Sequence, residues 1–266
     1  EIELKNVSFR YSESLPEVLK NINLNIKVGT TLAIIGHTGS GKTSLINLIP
    51  RLYDVTSGEL FIDGENVKHI PLDVLRTNVA VVQQESFLFS DSVYGNLSYG
   101  VRETDKQRVE EVSRIANFDM DVQSFPNGYE TIVGERGITF SGGQKQRASL
   151  ARALATNPKI LILDDSFSAV DTHTEEEILK NLKEFMKNRT SILISHRIST
   201  VKNADNEILL ILCNCKRMLV KVFILKILRK YNKKGGKLFT TFSHYFLSTV
   251  FSTVSFGSFF VQKNQS

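Results

Sequence analysis

Apolar positions in the first 62 residues recur with period two. Ile2, Leu4, Val7 and Phe9 form a loose set, Ile22, Leu24, Ile26 and Val28 a strict one, and Leu60 with Ile62 a short one. Alternation buries one face of a strand and wets the other, which predicts antiparallel strands. Four other runs are apolar on both faces: Leu32–Ile35, Val79–Val82, Ile160–Leu163 and Ile192–Ile194. Runs of that kind fit parallel strands covered by helices on both sides.

Helical patterns separate these runs. Thr43–Leu52 follows the first buried strand, and Pro50 is expected to kink or stop it because it lacks a backbone donor. Gln107–Ala116, Gly142–Ala155 and Glu175–Lys187 also read as helices. In the last, Ile178, Leu179, Leu182, Phe185 and Met186 make one stripe, and Thr174 with Glu177 predicts a capping box. Strands alternating with helices predict an α/β fold with a parallel core.

Composition adds a break in charge. The chain has 266 residues, 41% apolar and 23% charged, which excludes wholesale disorder. All 28 Asp and Glu lie in Glu1–Glu207, with 23 Lys and Arg, for a net of −5. The remaining 59 residues hold 10 Lys and Arg and no acid. The only cysteines, Cys213 and Cys215, make neither a disulfide framework nor a four-ligand zinc site, and a reducing compartment is expected. Glu1–Arg10 does not read as a secretory signal. Lys216, Arg217, Lys221 and Lys226 interrupt the most apolar stretch, Ile208–Leu228, so no membrane span is expected.

Candidate chemistry begins at Gly36-His37-Thr38-Gly39-Ser40-Gly41-Lys42-Thr43, a G-x-x-x-x-G-K-[ST] loop between a buried strand and a helix. Gly36, Gly39 and Gly41 are expected to let successive N–H groups turn toward phosphate oxygens, aided by the helix N-terminus. Lys42 suits the β- and γ-phosphates, and the Thr43 hydroxyl suits Mg²⁺. The whole loop is thus a candidate ATP site, with no role for the His37 imidazole, nor for His69, His173 or His244. A carboxylate ending a buried strand should complete the metal site, and Ile160-Leu-Ile-Leu-Asp164-Asp165 supplies Asp164 for it.

Phe140-Ser141-Gly142-Gly143-Gln144 resembles the L-S-G-G-Q signature of ATP-binding-cassette (ABC) ATPases, with Phe140 in place of leucine. Physically it is a second anion site: Ser141 caps a helix, and bare glycine backbone offers N–H groups. A second cradle is useful if it closes over nucleotide held by another subunit, and the resemblance implies that arrangement: two such domains, head to tail, around two ATP. It further implies that Tyr11 stacks on adenine and that Gln84 contacts Mg²⁺ and the attacking water while facing the membrane domain. Gln83 is the competing choice for that glutamine, and Glu85 favours Gln84. Ser168-Ala-Val-Asp171 resembles the loop that crosses the dimer interface, and His196 the histidine that contacts the γ-phosphate. Thr131–Gly137 resembles the segment that contacts the membrane domain's intracellular helices in exporters.

The resemblance covers about Glu1–Ile211 and is greatest to nucleotide-binding domains of bacterial multidrug and lipid exporters. It implies a P-loop NTPase with a mainly parallel core sheet, an antiparallel β subdomain and an α-helical signature subdomain at about 86–155. The expected division is 1–212 for the ATPase domain and 213–266 for a basic tail. ATP and Mg²⁺ are the implied ligands. A second nucleotide-binding domain and a transmembrane domain are the implied partners, with no nucleic acid. The implied location is the cytoplasmic face of a membrane.

Two departures qualify it. The family's base after the metal-binding Asp is glutamate, whereas here it is Asp165, one methylene shorter. A carboxylate withdrawn by about 1 Å can cost roughly 10²-fold in rate, so slow hydrolysis is expected. Beyond Glu207 the family's Asp-Gly turn, Glu-x-Gly strand and acidic helix are replaced by Lys-, Phe- and Ser-rich sequence. A shifted reading frame and a genuine tail binding anionic lipid or nucleic acid both remain open. Losing the last strands is expected to leave a sheet edge uncovered. Two rival functions are a soluble ABC ATPase of DNA repair or translation, and a nucleotide-binding partner that does not hydrolyse.

Overall fold

The computed structural model describes residues 1–101, 105–134 and 140–195, together with the backbone of 206–209. Its period-two runs become an antiparallel sheet of β1 (Ile2–Phe9), β2 (Leu19–Ile26), β4 (Ser57–Ile62) and the two-residue β5 (Glu65–Asn66), in the order β2-β1-β4-β5. Val28 falls outside β2 and is exposed, so the alternation ends at Ile26. Gly58 lets β4 pass β1: its φ is +78°, and an added Cβ would lie 2.3 Å from the Asn6 carbonyl oxygen.

The second sheet joins β6 (Val79–Val82), β7 (Ile160–Asp164), β8 (Thr190–Ile194), β3 (Thr31–Ile35) and β9 (Asn206–Leu209), all parallel, in the order β6-β7-β8-β3-β9. Successive side chains leave a strand on opposite faces, and here they enter different cores. Ile160, Ile162, Ile192, Ile194, Leu32 and Ile34 face the antiparallel sheet and α1 (Lys42–Leu48). Leu161, Leu163, Leu193, Ala80 and Val82 face a helical layer. Two buried faces explain why these runs are continuously apolar.

That helical layer contains α3 (Val93–Ser98), α4 (Lys106–Ile115), α5 (Asp119–Ser124), α6 (Gly142–Ala155) and α7 (Thr172–Met186). The remaining helix, α2 (Leu72–Asn78), leads into β6. Phe140 is buried here, stacked on Phe125 with centroids 5.0 Å apart, so an aromatic ring occupies the apolar position ahead of α6. Ile178, Leu182 and Phe185 are the buried face of α7, each contributing about 1.5–3 kcal/mol by burial.

Two expectations are corrected. α1 ends at Leu48 rather than Leu52, because the chain turns through Pro50 and Arg51, which has φ +54°. α7 is capped by Asp171, whose carboxylate accepts from the Thr174 N–H at 3.0 Å, and Glu177 accepts from Asn117 instead. A carboxylate so placed makes a charge-assisted cap, and the helix starts earlier than the Thr174–Glu177 pattern predicts. Beside β3 lies β9: Leu32–Ile35 pairs in parallel with Asn206–Leu209, and among the described residues β9 is the outer strand on that side.

Candidate functional site

The loop Gly36–Thr43 joins β3 to α1. Gly39 and Gly41 have φ of +79° and +83°, whereas Gly36 is not among the positive-φ residues, so two of the three glycines make the left-handed turns. Beside Gly41 an added Cβ would press on Leu19 and Val18 at 3.1 and 3.2 Å. His37 and Thr38 are exposed. Ser40 is buried, and its Oγ has no hydrogen-bond partner among the described residues. A buried orphan hydroxyl in such a loop fits a polyanion that supplies the acceptor.

The Lys42 side chain folds back over its own loop. Its Nζ donates to the carbonyls of Gly36 at 2.7 Å and His37 at 2.9 Å. Burial lowers its pKa, while the Asp164 and Asp165 carboxylates pull the other way. Thr43 Oγ1 donates to Asp164 Oδ2 at 2.8 Å, which brings together a hydroxyl and a carboxylate 121 residues apart. This oxygen pair is the donor chemistry a hard cation such as Mg²⁺ takes. The parallel β3, β8 and β7 all run toward this end of the sheet, which puts the loop and the two acids side by side.

Asp165 adopts φ +44°, a conformation that costs a non-glycine residue roughly 1–3 kcal/mol. Its N–H donates to the Ile194 carbonyl at 3.0 Å. Its Oδ2 accepts from Gln84 Nε2 at 3.4 Å. Gln84, rather than Gln83, therefore reaches the acidic strand end in this structure.

Tyr11 is half exposed, packs edge-on against Phe9 and Tyr53, and shares a 2.8 Å hydrogen bond with Ser44 Oγ, next to Thr43. An exposed phenol face beside the phosphate loop is open to a planar base. His196 and residues 135–137 lie outside the described residues.

Ser141 caps α6. Its Oγ accepts from the Gln144 N–H at 3.2 Å, and Gln144 Oε1 accepts from the Ser141 N–H at 2.9 Å, a complete capping box. Gln144 Nε2 also donates to Asp121 Oδ1 at 2.9 Å, and Asp121 takes a salt bridge from Arg147 at 2.6 Å. Gly142 and Gly143 lie against Ala169; a Cβ on Gly143 would meet the Ala169 carbonyl oxygen at 3.1 Å.

Two residues of this neighbourhood escape sequence reasoning. Gln146 is buried and bonds Ser168, Ala169 and the Gln84 carbonyl. Asp121 sits on α5, a short helix with too few residues to show a period. In Asp121 the only sequence signal is an acid upstream of a basic helix.

Fold and loop together define a P-loop NTPase. The ABC transporter family profile matches residues 19–168, and the chain belongs to that family. It is similar to the ATP-dependent lipid A-core flippase of Syntrophus aciditrophicus (strain SB), 44% identical over 210 residues, covering 79% of this chain and 35% of the flippase. It is equally similar to a protein of Staphylococcus aureus (strain bovine RF122 / ET3-1), provisionally named a multidrug export ATP-binding/permease protein: 44% identity over 209 residues, 79% of this chain and 36% of that protein. The chain thus spans about a third of the length of the curated relatives it matches. A bacterial Atm1-family ABC exporter solved with ATP bound superposes with a TM-score of 0.79 at 33% identity, covering 89% of this chain and 42% of the other.

Proposed function

We propose that this chain is the ATP-binding and ATP-hydrolysing cassette of an exporter, working with a transmembrane domain and a second cassette at the cytoplasmic face of a membrane. The observation that carries the reading is the Thr43–Asp164 hydrogen bond beside the buried Lys42 ammonium. The loop's N–H groups and Lys42 would grip the triphosphate, which frees the ammonium from its carbonyl acceptors. Thr43, Asp164 and Gln84 would hold Mg²⁺, which when bound neutralises charge developing on the phosphates. Asp165, contacted by Gln84, would accept the proton of the attacking water, with His196 as the γ-phosphate contact. Tyr11 would stack on adenine. Ser141–Gln144 would close over nucleotide held by the other cassette, and closure would drive the membrane helices. The relatives named for flipping and export, together with the exporter neighbour, support this reading over a soluble ABC ATPase.

A second reading rests on Asp165: the site binds ATP and turns it over slowly, the paired cassette carrying the faster base. Binding and turnover of Mg²⁺-ATP, measured separately in the complete transporter, test both. Lys42→Ala should abolish binding. Asp165→Glu should raise turnover by about 10-fold or more with little change in affinity, since the longer arm closes the gap to water. An unchanged rate removes the slow-site reading, and undiminished binding in Lys42→Ala removes the ATP site itself.

A further inference from the structure

Gln146 stands on the second turn of α6, and 4% of it is exposed. A buried primary amide carries a penalty of a few kcal/mol unless its groups are bonded. Here both ends are engaged, and by separate segments. Its Nε2 donates to the Gln84 carbonyl at 3.3 Å and to Ser168 Oγ at 2.9 Å. Its Oε1 accepts from the Ala169 N–H at 2.9 Å.

Those partners are themselves connected. Gln84 Nε2 donates to Asp165 Oδ2, and the Asp165 carbonyl accepts from the Ser168 N–H at 3.2 Å. Gln146, Gln84, Asp165 and Ser168 thus close a ring of hydrogen bonds. The ring joins three chain segments distant in sequence: Gln84, the Asp165–Ser168 turn, and the helix whose first turn is the Ser141–Gln144 cradle. The close seat of Gly142 and Gly143 on Ala169 leaves no slack between that turn and the 168–171 segment.

We propose that Gln146 is a positioning residue that ties the orientation of the α6 cradle to the state of the Gln84–Asp165 pair, so that nucleotide at loop 36–43 resets the cradle of the same chain. This rests on the proposed reading that loop 36–43 binds ATP. When a bound triphosphate and its cation draw Gln84 toward themselves, the Gln84 backbone shifts. The amide of Gln146 passes that shift to Ser168 through the one nitrogen that bonds both Gln84 and Ser168, and to Ala169 through its oxygen. A merely structural amide would stabilise the domain without carrying this signal.

Hydrogen-exchange mass spectrometry on the full chain in its native assembly distinguishes the two, with and without Mg²⁺ and a non-hydrolysable ATP analogue. In the wild type, protection should rise at 36–43 and also at 141–150 and 165–171. Gln146→Met keeps the volume and loses all three bonds. Gln146→Glu can still accept from Ala169 and Ser168 but sets a carboxylate against the Gln84 carbonyl. Both should keep the rise at 36–43, lose it at 141–150, and lower kcat about 10-fold with KM for ATP within about threefold. Wild-type-like protection at 141–150 in either folded variant overturns the proposal. Absence of protection at 36–43 in the wild type would instead remove the nucleotide reading, and this inference with it.

Discussion

Lys42 shows how burial sets the chemistry of a single side chain. Its ammonium is held among carbonyl oxygens and near two carboxylates, yet desolvation prevails and its pKa falls below that of an exposed lysine. Only the charged form attracts a triphosphate. Affinity should therefore be full below this lowered pKa and decline as pH rises through it, while the bound phosphates push the pKa back up. An exposed lysine would show the same decline at a higher pH. Lys42→Arg, charged at every accessible pH, should bind more weakly but with no alkaline decline. Titrating nucleotide affinity from neutral to alkaline pH in both proteins checks this; parallel curves would assign the decline to another group. The loop was legible in the sequence because its parts are contiguous: two turning glycines, a lysine and a hydroxyl within eight residues. Asp164 was legible because an acid after four apolar residues has few other uses beside such a loop.

Longer-range side-chain contacts were not legible, and α6 shows why. Arg152 donates from Nε to the Asn96 carbonyl at 2.8 Å, from Nη2 to Asn96 Oδ1 at 2.7 Å and from Nη1 to the Phe87 carbonyl at 2.9 Å. Asn96, buried on α3, also accepts from the Phe89 N–H and donates to the carbonyls of Phe89 and Ser92. The network holds the segment after Gln84 against the helix that carries the cradle. No period or spacing signals it, since its members lie 56 and 65 residues apart. The Thr174–Glu177 pattern failed for a related reason: it is consistent with a cap, but Asp171 offers a charged acceptor one turn earlier. Asn96→Ala would remove the shared acceptor of Arg152 Nη2 and the Phe89 N–H, while Nε and Nη1 keep their backbone carbonyls. It should cost about 2–4 kcal/mol, while Asn96→Asp, which still accepts from Arg152, should cost less. Denaturant unfolding of both variants checks the order; equal costs would show that the Arg152 contact carries little of the stability.

The two sheets divide labour. The antiparallel sheet presents Tyr11 beside the loop, and the parallel sheet aligns the loop with Asp164 and Asp165 by running its strands the same way. β3 lies between β8 on one side and only the four residues of β9 on the other. Nothing in the sequence pattern marks this strand, because a pairing of four residues leaves little periodic signal. It nevertheless decides what the following residues do for stability. Truncation after residue 209 keeps β9, and truncation after residue 205 removes it. If β9 protects the β3 edge, the longer product should keep its thermal midpoint and its nucleotide affinity. The shorter should melt several degrees lower, scatter light on standing through edge-to-edge pairing, and bind nucleotide more weakly because β3 carries the loop directly. If the two melt and bind alike, β9 contributes nothing to the sheet and the edge of β3 is guarded by other means.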